Sequence, residues 1–137
     1  MGTWDHGPFD NDTAADWSGE LDDAPADERE PIIRTTLAAV IDNVGYLDSD
    51  FAVEAIAAAA VIASQRPGGT PITTPYGPDF LLNGETLSLP ADLDSLAVRA
   101  LDRIMADESE WRSLWEESEQ YPQAQAELLA IRAVLAS

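Results

Sequence analysis

The chain has 137 residues, with 26 acidic against seven basic ones and a formal net charge of −19. All seven basic residues are arginines; there is no lysine, no cysteine and a single histidine, His6. This inventory excludes a thiolate nucleophile, a cysteine zinc site and a disulfide, as well as a lysine Schiff base or a P-loop lysine. Zinc on two histidines cannot be built within one chain, and a Ser-His-Asp triad would have to use His6. Carboxylate chemistry is what remains: acid–base pairs, or Mg²⁺ held by clustered Asp and Glu.

The length suits one domain, residues 1–137, large enough to bury a core without staples. A surface this acidic repels phosphate backbones and anionic lipid, so neither nucleic acid nor a membrane is an expected partner. A basic protein surface is the electrostatic complement. Surplus carboxylate also serves solubility or salt tolerance, and a lysine-free, alanine-rich composition is what GC-rich coding produces. The opening lacks the basic stretch of a signal peptide. Gly2 is followed at the sixth position by His6 where myristoylation requires Ser or Thr. The longest weakly charged apolar stretch, Ala55–Ala63, is too short to span a bilayer. A cytoplasmic protein is therefore expected.

In chain order, residues 1–11 are rich in turn formers, and a first helix is predicted from about Asp12, capped by Asp10, Asn11 or Asp12. Its inner face would carry Ala14, Trp17 and Leu21. A second helix follows a capping box of Asp27 and Glu30, with Pro31 in the first turn. Its apolar face reads Ile33, Leu37, Val40, Ile41 and Val44, and Asn43 to Gly45 supplies the stop. Asp48 or Ser49 caps a third helix running to about Gln65. This helix is apolar nearly all round, a pattern typical of a central position. Its one internal charge, Glu54, reads either as a buried carboxylate with a raised pKa or as a solvent-facing first-turn residue.

Residues 67–90 hold five prolines and four glycines, which predicts an ordered irregular loop, with or without a tight hairpin at Asn83-Gly84. Three more helical patterns follow. The first has the face Leu93, Leu96, Ala97, Ala100, Leu101 and Ile104; the second is short and carries Trp111, Leu114 and Trp115; the last runs from near Pro122. The expected fold is all-α, a single compact bundle of about six helices interrupted by one Pro/Gly-rich loop.

Two constellations are candidates for function. At the opening, Trp4, Asp10, Asp12 and Asp16 are candidate binding residues. Together with Asp5 and His6, the acids offer oxygen and imidazole ligands for a divalent cation. The EF-hand pattern fails, because Ala15 and Leu21 stand where its glycine and glutamate belong. The competing reading is structural, with aromatics in the core and Asp/Asn in turns and caps.

The residues Gly2, Trp4, Gly7, Phe9, Asn11 and Asp12 give this opening a resemblance to the bacterial domain-of-unknown-function family number 4259, whose members begin Met-Gly-x-Trp-Gly-x-Gly-x-Phe-x-Asn-Asp. Asp5 replaces the usual glycine. Tyr46-Leu47, the alanine-rich helix from Ala55, Ser109-Glu110 and Leu114-Trp115 extend the resemblance over nearly the whole chain. It implies no activity.

The second constellation is Trp111, Trp115 and Glu116, continuing into Glu117 and Glu119. The glutamates invite comparison with all-α nucleotide pyrophosphohydrolases, but their Glu-Glu-x-x-Glu spacing breaks at Gln120. The Trp pair suits a core or an interface anchor. Residues 1–30 hold ten carboxylates and one arginine.

The expected function is a non-enzymatic acidic protein-binding module, immunity- or inhibitor-like, covering a basic surface of a partner; a nucleic-acid mimic is a special case. No cofactor is expected, a divalent cation being the exception to test. The alternative is a Mg²⁺-dependent, carboxylate-based hydrolase of nucleotides or phosphoesters, built on Glu116, Glu117 and Glu119.

Overall fold

The computed structural model describes residues 7–136. Among these the chain forms seven α-helices, one 3₁₀ turn and no strand. Helix α1, Asp12–Asp23, starts where Asn11 in extended backbone accepts the Ala14 N–H at 2.8 Å. That bond satisfies one of the donors a helix start leaves free. Ala14, Trp17, Ser18 and Leu21 point inward. The Trp17 indole N–H donates to Thr36 Oγ1 at 3.0 Å, and that hydroxyl donates to the Ile32 carbonyl at 2.8 Å. A large apolar ring is thus buried with its polar atom satisfied.

A 3₁₀ turn, Ala26–Glu28, leads into α2, Arg29–Ile41. The predicted capping box is absent: Asp27 lies exposed in the turn, and Glu28 at the cap makes no side-chain bond. The tight winding already gives the Glu28 N–H to Pro25 and the Arg29 N–H to Ala26, which leaves a box little to satisfy. Glu30 instead pairs with Arg34 one turn on. Helix α2 buries Ile33, Leu37 and Val40. Val44, predicted on the same face, is 96% exposed. The helix ends at Ile41, and Gly45 at φ +88° turns the chain back before Val44 can reach the core.

Helix α3, Ser49–Ser64, is the centre of the molecule, in contact with α1, α2 and the later helices α5 (Asp92–Met105), α6 (Glu110–Glu117) and α7 (Tyr121–Ala136). Every residue from Ala55 to Ala63 is buried. Five helices can gather round it because alanine lets neighbouring axes approach closely on all sides. Helix α5 turns Leu93, Ala97, Ala100, Leu101 and Ile104 inward, as its periodicity predicts. The buried side chains form one contiguous core.

Helices α3 and α5 run antiparallel and are tied at both ends. At one end Leu47 and Ser109 form a parallel backbone bridge: the Leu47 N–H donates to the Glu108 carbonyl at 2.8 Å, and the Glu110 N–H donates to the Leu47 carbonyl at 2.9 Å. At the other end Arg66 grips Asp94 with a shortest contact of 2.7 Å, and donates to the Leu89 and Pro90 carbonyls.

Residues 65–91 connect these two helices irregularly except for one helical turn, α4, Asp79–Leu82. Asp22 of α1 caps that turn by accepting the Asp79 and Phe80 N–H groups at 2.8 and 3.1 Å, and the Arg29 guanidinium stacks on the Phe80 ring at 3.8 Å. Asn83-Gly84 ends the turn; it does not join two strands. Gly84 sits at φ +88°, the Glu85 N–H returns to the Phe80 carbonyl and the Gly84 N–H to Leu81, a Schellman closure. At Gly69 a Cβ would overlap the Ala63 carbonyl oxygen, so only glycine lets the chain fold back over the end of α3.

Candidate functional site

Trp4, His6 and Asp5 lie outside the described residues. Of the other opening candidates, Asp10 closes a turn: its Oδ2 accepts the Gly7 N–H at 3.0 Å, while its own N–H donates to the Gly7 carbonyl. Asp12 and Asp16 are exposed on α1. Among the described residues, no three His, Cys, Asp or Glu side chains gather closely enough to hold a metal ion. The opening turn does border an open cleft of about 280 Å³, walled by Phe9, Ala63, Ile72, Ile131 and Val134, with Asp10 and Glu127 among its lining.

The second constellation divides between core and surface. Helix α6 begins at Ser109, whose hydroxyl accepts the Arg112 N–H at 3.4 Å. Trp111 is buried and meets the Tyr121 ring edge-on at 5.9 Å, while Trp115 is half-buried against the core. Leu114, which helped to mark this helix in the sequence, is 48% exposed. Glu116 is exposed and bonded to Arg112 at 3.2 Å. Glu117 and Glu119 are exposed too. Glu119 occupies the left-handed position that closes α6, at φ +64°, with the Gln120 N–H returning to the Trp115 carbonyl. The position is set by helix termination.

Arg112 organises this corner. It donates to the Met105 carbonyl at 2.9 Å, lies 3.8 Å from Asp107, and stacks on Tyr121 at 5.2 Å. Burial pushes the Tyr121 hydroxyl up, against the pull of the nearby guanidinium. The opening and α6 both flank the first turn of α3. Thr13 Oγ1 donates to Asp50 at 3.4 Å, and Glu110 Oε1 accepts the Ser49 N–H at 2.8 Å.

The wider electrostatic pattern was not legible in the sequence. Arg34, Arg66, Arg112 and Arg132 pair with Glu30, Asp92, Asp94, Asp102, Asp107 and Glu116. Arg29 closes the end of α1 through the Leu21 and Asp22 carbonyls. Arg103 gathers the carbonyls of Gly45, Asp107 and Glu108. Six of the seven arginines are thus engaged within the molecule, while Asp12, Asp16, Glu20 and Asp23 on α1 and Asp27 and Glu28 in the 3₁₀ turn stay exposed. Glu54 is half-buried, and burial raises its pKa first, with Glu20 and Asp50 adding to the effect. Its environment lies between the two predicted ones, neither fully buried nor facing water.

Fold and surface thus define an acidic all-α protein whose cations are turned to structural use. A family model described as a domain of unknown function (DUF4259) matches residues 2–127, and the chain belongs to that family. Comparison with curated proteins and with solved structures finds no match. No helix among the described residues is long and apolar enough to cross a membrane.

Proposed function

We propose that this protein is a non-enzymatic acidic binding module, immunity- or inhibitor-like, that covers a basic surface of a partner protein. The observation carrying this reading is the division of charge. Acids outnumber arginines 26 to seven, and Arg34, Arg66, Arg112 and Arg132 are each paired with carboxylates, so acids dominate the field presented to solvent. Such a field steers a basic partner into encounter and weakens as salt rises. The proposed compartment is the cytoplasm.

Affinity capture from lysate tests the reading. At low salt the immobilised protein retains a basic partner in stoichiometric amount, and a salt gradient releases it. A variant with exposed acids changed to lysine on both α1 and the α2–α3 side, at Asp16, Glu20, Asp42 and Glu108, retains it far less. Recovery of no stoichiometric partner, or equal retention by the charge-reversed variant, would count against the proposal.

A further inference from the structure

The exposed Val44 has neighbours that are also apolar. Tyr46, two residues on, is 57% exposed, and its hydroxyl lies 3.4 Å from Ser113 Oγ, next to exposed Leu114. This brings the turn between α2 and α3 against the outer side of α6. The turn is rigid. Arg103 holds the Gly45 carbonyl at 2.6 Å, and the Leu47 bridge fixes the chain on its far side. Glu108 takes a left-handed conformation, φ 59°, and turns its carbonyl to both Leu47 and Arg103.

Apolar side chains held out in water on a fixed backbone gain nothing for the fold, since their burial stabilises only when something covers them. Around them stand Asp42, Asp48, Asp107 and Glu108, all exposed. The two nearby cations, Arg103 and Arg112, are bonded to carbonyls and carboxylates. Asp107 faces Arg112 at 3.8 Å, while the Asp42, Asp48 and Glu108 carboxylates pair with no arginine among the described residues, so acids outnumber cations beside these apolar side chains.

We infer that the α2–α3 turn and the outer side of α6 form the docking surface for a basic protein segment that carries apolar side chains between its cations. Val44, Tyr46 and Leu114 make the dry contact, and Asp42, Asp48 and Glu108 meet the cations. The inference rests on the basic-partner reading above and adds where the partner docks and what it presents. A second copy of this chain fits poorly, because both surfaces carry the same charge.

Two synthetic peptides of equal length serve as probes, one alternating arginine with leucine and the other alternating arginine with serine. Each is titrated into isotope-labelled protein and followed by NMR. The leucine peptide binds at least about tenfold tighter, the effect of covering one or two apolar side chains, and shifts the methyl signals of Val44 and Leu114. In V44S/L114S this advantage disappears while serine-peptide binding is unchanged. Equal affinities in the wild type, or shifts centred on α1, overturn the docking surface and leave the basic-partner reading standing. Failure of both peptides to bind at low salt removes both. Sedimentation in high salt covers the remaining case: a dimer formed by the wild type and lost in V44S/L114S would assign the patch to a second copy and overturn the proposal.

Discussion

Glu119 holds a left-handed backbone position that glycine adopts freely and that costs other residues about 1–2 kcal/mol. It also places a negative charge at the negative end of α6, which is unfavourable by about 0.3–1 kcal/mol. Glycine would relieve both and give back about 0.5–1 kcal/mol in unfolded-chain entropy. Glu119→Gly is therefore expected to stabilise by about 0.5–1 kcal/mol, raising the thermal midpoint by about 2–3 °C. Glu119→Ala removes the charge and keeps the backbone penalty. If calorimetry showed the two variants to be equal, the conformational part of the argument would be wrong. The same position accounts for the spacing that breaks at Gln120, which is the spacing of a helix closing.

At the scale of elements, the packing of α1 on α3 sets a pH dependence. Glu54 faces Glu20 and Asp50 in a half-desolvated place that raises its pKa. From about pH 4.3, the ordinary glutamate value, up to that raised value, the folded chain keeps a proton the unfolded chain has released. Stability contributed there is present at lower pH and lost as pH rises through the window. Asp92 works in the opposite sense, because Arg34 lowers its pKa and its contribution is lost as pH falls below the ordinary aspartate range. Glu54→Gln should flatten the loss of stability as pH rises above about 4.3 and add about 0.5 kcal/mol at neutral pH, the size of a relieved like-charge pair at i,i+4. An unchanged profile in denaturant titrations across pH 4–7 would show that Glu54 is solvated in both states.

How far the elements could be read in advance depended on whether local residues decided them. The central place of α3 was legible because Ala55–Ala63 is apolar on every face, and α5 because its apolar positions recur at helical spacing. The exposure of Val44 was not, since it turns on α2 ending three residues earlier. Asn83-Gly84 suits a hairpin or a helix end equally well. The choice was made by Asp22 and Arg29, far away in sequence, which cap and cover the turn containing Phe80. The candidate site shows the same limit. Trp111, Trp115 and Glu116 could be grouped on one helix by spacing, but nothing local announced that Tyr46 would stand beside Ser113.

For the whole molecule, two electrostatic effects of salt compete. Screening weakens the arginine pairs, and it also weakens repulsion among the carboxylates that have no arginine. The pairs are mostly exposed, and such pairs contribute about 0–1 kcal/mol each. A net charge of −19 on so small a body repels itself through many pairs closer than the Debye length of about 10 Å at 0.1 M. Repulsion should win. Raising sodium chloride from low to moderate concentration is expected to stabilise the fold by on the order of 1 kcal/mol, a few degrees in the thermal midpoint. A midpoint that fell on adding salt would mean that the arginine clamps outweigh the excess acid. The expected result sets folding and partner binding in opposition, since the salt that steadies the protein weakens its hold on a basic surface.

The double fastening of α3 to α5 makes the stretch between them a detour. Leu47 with Ser109 and Arg66 with Asp94 align the two helices at both ends, so their register is written twice without the covalent path that joins them. Lengthening a closed excursion costs only about 0.6 kcal/mol per doubling. Among relatives of this chain, residues 67–90 are thus the segment where insertions and deletions can accumulate without displacing the helices on either side, provided that Phe80 and Leu89 still reach the core.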